Sequence, residues 1–260
     1  MKRFLKVFAV LAGVSAVVVP AAVYAAGEYD KPRDARFGFA SLLGSFDRAS
    51  AQRGFQVYNE VCAACHGMRL LSFRNLLEIG LTEEQVRAIA ANVQVTDGPN
   101  DEGQMFERPG RLSDRFRRPF ANEQAARAAN NGAYPPDLSV MVKARKNGAN
   151  YIYSLLTGYR DPPAGVTIGD GMNYNPYFPG RQIAMANVLN DDQLEFADGT
   201  AATADQMARD VVTFLAWAAE PETEQRRRMG IRVLIFLAIG GALAYAVKRK
   251  IWADLKTKPA

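Results

Sequence analysis

The chain has 260 residues, 48% of them hydrophobic and 23% charged, with 32 Lys and Arg against 27 Asp and Glu and only two cysteines. That is enough apolar material for a domain with its own core, and too little cysteine for a disulfide scaffold. The formal net charge of +5 is unevenly spread. Three basic residues fall before residue 26, and nine basic with one acidic fall beyond residue 225, which leaves residues 26–225 with 20 basic and 26 acidic, a net of −6. An acidic body argues against nucleic acid as a ligand and suits a basic protein partner, because opposite fields speed encounter.

Residues 1–25 carry Lys2, Arg3 and Lys6, an apolar stretch from Val7 to Val19, and small residues after Val23. They read as a cleaved secretory signal with the mature start near Ala26, because the apolar stretch is short and Pro20 interrupts it. From Asp47 to Cys65, Phe55, Tyr58, Val61, Cys62 and Cys65 recur at helical spacing, which predicts a helix with the cysteines on its inward side.

Cys62-Ala63-Ala64-Cys65-His66 holds both cysteines and the only histidine. On one helical turn two cysteines can form thioethers with the two vinyls of one porphyrin, while the histidine turns its imidazole to the iron. A zinc site would need two further ligands, and a thiol redox pair would need a βαβ pattern around the motif. The segment therefore reads as a covalent attachment site for one haem c, with His66 as an iron ligand.

Further along, Thr82 and Gln85 form a capping box that opens a helix through Val93. Shorter helices are expected over 122–130, 139–146 and 150–156, each followed by glycine. A last helix in this body starts at Thr203 with Gln206, lines up Met207, Val211, Phe214, Leu215 and Ala218, and stops at Pro221. Between these elements 95–120 and 159–202 are long, rich in Gly, Pro and Asn, and suited to wrapping a cofactor. The expected fold is all-α: a c-type cytochrome haem domain over 26–225 with long loop insertions. An apolar segment over 229–247, bracketed by Arg226 to Arg228 and Lys248 to Lys250, predicts a single transmembrane anchor followed by a cytoplasmic tail at 248–260. Signal and anchor together predict a bacterial inner membrane with the haem domain in the periplasm.

With His66 engaged, a low-spin carrier needs methionine as its sixth ligand, and such ligation raises the potential. Met105, Met141, Met172 and Met185 remain after Met1, Met68, Met207 and Met229 are set aside by position. A loop just before the last helix favours Met185, with Met172 next.

Phe55 to His66, Thr96 to Gly103, Ala125 to Leu138, Tyr151 to Tyr159, Asn175 to Gly180 and Trp217 to Gly230 together resemble the cytochrome c1 family, the haem subunit of the cytochrome bc1 complex. The resemblance covers nearly all of the chain after its signal. It implies that Met185 is the distal ligand, that Arg145 pairs a haem propionate, and that Asn131 to Pro136, including Pro135, line the pocket. Asn187-Val188 stands where many members carry a proline pair. It also implies partners: cytochrome b beside the anchor, the Rieske iron-sulfur protein as donor, a basic c-type cytochrome as acceptor, and a dimeric parent complex. The implied function is single-electron transfer, with no substrate chemistry on this chain. The rivals are a free-standing anchored shuttle and a haem enzyme or sensor with an open sixth site.

Overall fold

A computed structural model describes residues 29–257, so the predicted signal at 1–25 lies outside the described residues. The helix around which the domain is built is α1, Arg48–Glu60, which opens with Asp47 accepting a hydrogen bond from Ser50 N at 3.2 Å. It ends five residues before the predicted limit. A 3-10 turn at Cys62–Ala64 follows, in which the amides of Cys65 and His66 both point to the Cys62 carbonyl at 3.1 and 2.9 Å. The haem motif is thus a tightened turn past the helix end.

The chain continues through a 3-10 helix at Phe73–Ile79, α2 at Glu83–Ala91, and the antiparallel pair β1 Gln94–Asp97 with β2 Phe106–Pro109. Helices α3 Glu123–Ala129, α4 Met141–Ala144 and α5 Gly148–Leu156 lead to a second pair, β3 Asn173–Tyr174 with β4 Gln182–Ile183. Then come α6, Ala204–Ala219, and the long α7, Thr223–Thr257. Helices dominate, as expected. The two stretches read as loops each hold a short hairpin, which sequence alternation did not reveal because the strands are only four and two residues long.

Helices α1 and α6 cross closely, and Gly54 is the reason they can. A Cβ at Gly54 would stand 1.9 Å from the Asp210 carbonyl oxygen, so any larger residue would push the helices apart. Asp210 is completely buried. Its carboxylate accepts from Ser50 Oγ at 2.6 Å, Arg53 Nε at 2.7 Å, Arg53 Nη2 at 3.1 Å and Gln206 Nε2 at 3.0 Å. Every lone pair of a buried charge is therefore occupied, as low-dielectric surroundings demand. Gln206, predicted to close a capping box, turns to Asp210 instead. Thr203 still caps α6 by accepting from Gln206 N at 3.1 Å.

Around this crossing lies an aromatic cluster. Phe55 meets Phe214 edge-on at 5.6 Å between ring centres, Tyr58 lies 5.8 Å from Phe214, Phe214 lies 5.7 Å from Trp217, and Phe73 stacks on Phe116 at 4.8 Å. Each fully buried side chain of this size contributes about 1.5–3 kcal/mol through area removed from water.

Helix α7 is long and apolar enough to cross a membrane over Thr223–Ala253, and its most apolar stretch is unburied. It begins inside the domain, well before the predicted anchor at 229. Glu224 accepts from Phe46 N at 2.8 Å and Arg48 Nη2 at 3.0 Å, while Arg226 pairs with Glu220 at 2.5 Å. Two of the residues predicted to flank the membrane, Arg226 and Arg227, are therefore engaged with the protein itself.

Candidate haem site

The segment after the 3-10 turn is clipped along its length to residues 136–139. His66 Nδ1 donates to the Pro136 carbonyl at 2.8 Å, Leu138 N donates to Gly67 O at 2.8 Å, Arg69 N donates to Asp137 Oδ2 at 2.9 Å, and Leu70 N donates to Ser139 Oγ at 3.1 Å. Asp137 also accepts from Ser139 N at 3.0 Å, which stiffens the receiving segment. With Nδ1 committed as a donor, the imidazole keeps Nε2 as its free, basic nitrogen, the tautomer that a metal ligand needs.

The electrostatics agree with that state. Burial lowers the His66 pKa, opposed by the Pro136 hydrogen bond and the Asp137 charge, so the neutral ring is favoured. Burial pushes the Cys62 thiol up to about 12, helped by neighbouring Cys65. Both cysteines are free and half-buried, and no cluster of three metal-ligating His, Cys, Asp or Glu residues occurs among the described residues. A zinc reading has no further ligands to draw on.

Behind the motif, Tyr58 donates to the His66 carbonyl at 3.2 Å from a position 1% exposed. Periodicity assigned Tyr58 only to the apolar face of α1. Its hydroxyl was the signal, because a buried tyrosine needs a partner for its polar tip.

Met185 follows β4 and is half-buried. Its carbonyl accepts from Tyr159 Oη at 2.9 Å and from Asn173 Nδ2 at 3.4 Å. Both of these residues escaped sequence reasoning, since neither lies within ten residues of Met185. Burial raises the Tyr159 pKa, keeping the phenol a donor. The turn between β3 and β4 is set by Asn175, fully buried, which donates to Leu155 O at 2.8 Å and accepts from Tyr177 N at 3.1 Å. The block Asn175 to Gly180 thereby gains a structural reason: it ties the hairpin to the end of α5.

The other methionines occupy different surroundings. Met105 is 61% exposed in the first hairpin, whereas Met68 and Met207 are fully buried core residues. Met141 packs on the core from the start of α4. Met172 is half-buried beside β3.

Of the expected pocket residues, Pro135 is half-buried and Pro136 supplies the carbonyl for His66. Asn131 adopts a left-handed backbone at φ 52° and places its amide against Gly171, where a Cβ would stand 2.8 Å away. Contacts thus run from the His66 side through 131–136 to Gly171, just before β3. Arg145 is exposed at the end of α4 and, among the described residues, donates only to the Ala144 carbonyl at 3.3 Å. Its charge offsets part of the burial that raises Tyr151. An unpaired guanidinium there fits an incoming carboxylate.

These residues fit a haem: a thioether-spaced cysteine pair, a histidine with a fixed tautomer, a methionine on a tied loop and a free arginine.

Residues 37–255 match the cytochrome C1 family. The chain is 54% identical over 231 residues to cytochrome c1 1, heme protein, mitochondrial, of Arabidopsis thaliana, covering 89% of this chain and 73% of that protein. It is 54% identical over 215 residues to cytochrome c1, heme protein, mitochondrial, of Saccharomyces cerevisiae, covering 82% and 70%. The cytochrome b-c1 complex catalytic subunit, mitochondrial, of Candida albicans is 54% identical over 218 residues, covering 84% and 76%. The expected bacterial inner membrane and periplasm are overturned here: these relatives are mitochondrial, and they point to a mitochondrial setting. Over most of its length, and with its CxxCH turn in place, the chain belongs to the cytochrome c1 family.

Proposed function

We propose that this chain is the cytochrome c1 subunit of a mitochondrial cytochrome bc1 complex, taking single electrons from the Rieske iron-sulfur protein and passing them to a basic c-type cytochrome. The observation that supports the reading is the 2.8 Å hydrogen bond from His66 Nδ1 to the Pro136 carbonyl, which leaves Nε2 as the nitrogen free to bind iron.

Haem c bound here supplies an iron that gains or loses one electron without bond making. Cys62 and Cys65 would hold it covalently, one haem for one motif, and His66 and Met185 would bind its iron. Pro135, Pro136 and Asn131 line the pocket and keep water from it. Arg145 neutralises a propionate. With both ligands bound to the iron, no acid or base would be required and no substrate would be transformed on this chain. Oxidation of quinol is the work of the whole reductase, and α7 lies beside cytochrome b in its membrane, with the complex a dimer.

Residues 26–225 carry a net charge of −6, which favours a basic acceptor and an on-rate that falls as salt screens the attraction. The test is spectroscopic and kinetic. Denatured holoprotein should keep a covalent haem spectrum, Met185→Leu should change the axial signature and admit carbon monoxide, and electron transfer to a basic cytochrome should slow with ionic strength. Wild-type protein that binds carbon monoxide in its native reduced state would refute the two-ligand reading.

A further inference from the structure

The turn before α1 carries two leucines with almost no cover: Leu42 is 83% and Leu43 76% exposed. It is a built turn. Ser41 donates to Gly38 O from its amide at 3.4 Å and from Oγ at 3.2 Å, and Gly44 N donates to Ser41 O at 3.1 Å. Beneath it Phe39 packs between Phe37 and Phe46, with ring centres 5.0 Å away on each side. A well-braced turn thus presents two large apolar side chains outward at its tip.

The same turn is fastened to the start of α7. Arg227 donates to Gly44 O at 2.6 Å and to Phe39 O at 3.0 Å, and Glu224 receives Phe46 N at 2.8 Å. The leucines are therefore fixed next to the first turns of α7. The helix's uncovered apolar surface begins at Met229 and Ile231, which lie about 3–6 Å further along the axis at the rise of an α-helix. Arg228 and Arg232, both exposed on α7, stand at the level where headgroup phosphates would lie.

We propose that Leu42 and Leu43 form a second, shallow membrane contact, inserting into the headgroup and acyl boundary of the bilayer that α7 crosses. The inference rests on α7 being a membrane span. Its consequence is mechanical. A domain held by one helix can swivel about that helix, whereas a domain held by a helix and a leucine wedge keeps one face towards its partners. Continuity with the apolar surface of α7 is what selects lipid as the occupant.

The test uses full-length, haem-loaded protein in vesicles of phosphatidylcholine and phosphatidylglycerol. A polarity-sensitive dye is placed at Leu42→Cys, at Leu43→Cys and, for the anchor, at Leu237→Cys, and lipids with a nitroxide at shallow or deep positions report depth. Dyes at 42 and 43 should be quenched about twofold more by the shallow nitroxide than by the deep one, with the reverse at 237, as interfacial side chains sit only about 5–10 Å into the boundary. Dyes at 42 and 43 that iodide reaches and neither nitroxide quenches, beside a quenched 237, would overturn the wedge and leave the anchor standing. Shielding of 42 and 43 only in the intact complex would assign the leucines to a protein partner and overturn it as well. No quenching at 237 would remove the anchor, and the wedge with it.

Discussion

The two sides of the haem site are held in different ways. On the His66 side, the motif sits at the end of a helix locked by the buried Asp210 cluster, and the chain from Gly67 to Leu70 is clipped to 137–139 by two amides that donate to the Asp137 and Ser139 side chains and by the Gly67 carbonyl, which accepts from Leu138 N. On the Met185 side, the Met185 carbonyl is held by two side-chain tips, Tyr159 and Asn173, reaching across from other segments. One side is held by several hydrogen bonds to one short segment about 70 residues away, and the other by two side-chain tips on a single carbonyl. The difference teaches where the site should yield first. Deleting a tip from the Met185 side should loosen one ligand, while damage on the His66 side should cost the fold.

The comparison breaks most visibly at Asp210. Asp210→Ala leaves the Arg53 guanidinium, only 14% exposed at its side chain, without its buried partner and strands Ser50 as well. Loss of one member of a buried charge pair costs about 3–5 kcal/mol, so the urea unfolding midpoint should fall sharply. A midpoint within error of wild type would show that the α1 and α6 crossing does not depend on this cluster.

Next in size is Asp137→Ala, which frees the amides of Arg69 and Ser139. Hydrogen bonds to a charged acceptor are worth about 1.5–3 kcal/mol, and partial solvent access brings the expected loss to about 2 kcal/mol. The Met185 axial signature should survive. If that signature vanished while stability held, the clip would be serving the far side of the site and the division drawn above would be wrong.

Tyr159→Phe probes the Met185 side directly. It removes the 2.9 Å hydrogen bond and leaves the Met185 carbonyl with the longer Asn173 contact, at a cost of about 1 kcal/mol. The effect to look for is local: imidazole or carbon monoxide should capture the sixth position more readily, with the unfolding midpoint barely moved. An equal shift in both would mean that the Met185 loop is as integral to the fold as the motif.

This asymmetry also explains what could be read in advance. Cys62, Cys65 and His66 are adjacent in sequence, so their chemistry is legible from spacing alone. The capping box at Thr82 and Gln85 is equally local, and both of its hydrogen bonds are present at 3.2 and 2.8 Å. The apolar stripe of α6 is legible from its period. Met185 could be narrowed to a short list by position, but the residues that hold it could not, because Tyr159 lies 26 residues away and the contact depends on a hairpin of two-residue strands. The Asp210 cluster was hidden for a related reason. An aspartate at that place in an amphipathic helix reads as a surface residue, and only the glycine crossing at Gly54 brings Ser50 and Arg53 onto it. Helix α1 was read five residues too long because the cysteines continue its spacing while the backbone tightens into a 3-10 turn.

The smallest effect sharpens the His66 side. Asp198 is the outer member of the Asp210 cluster and accepts from Arg53 Nη1 at 2.6 Å with its carboxylate well exposed. The Thr200 amide and hydroxyl, and then Arg53, hold its pKa down to about 2. A carboxylate depressed in the folded state stabilises the protein above its unfolded value, near 4, and that contribution disappears as pH falls towards the folded value. Asp198→Asn should therefore lower the unfolding midpoint slightly at pH 7, and the gap between variant and wild type should close between about pH 4 and pH 2. Solvent screening keeps the gap small, because Arg53 retains its buried partner Asp210. A gap as large as that of Asp210→Ala would mean that the outer carboxylate, rather than the buried one, carries the crossing of the two helices.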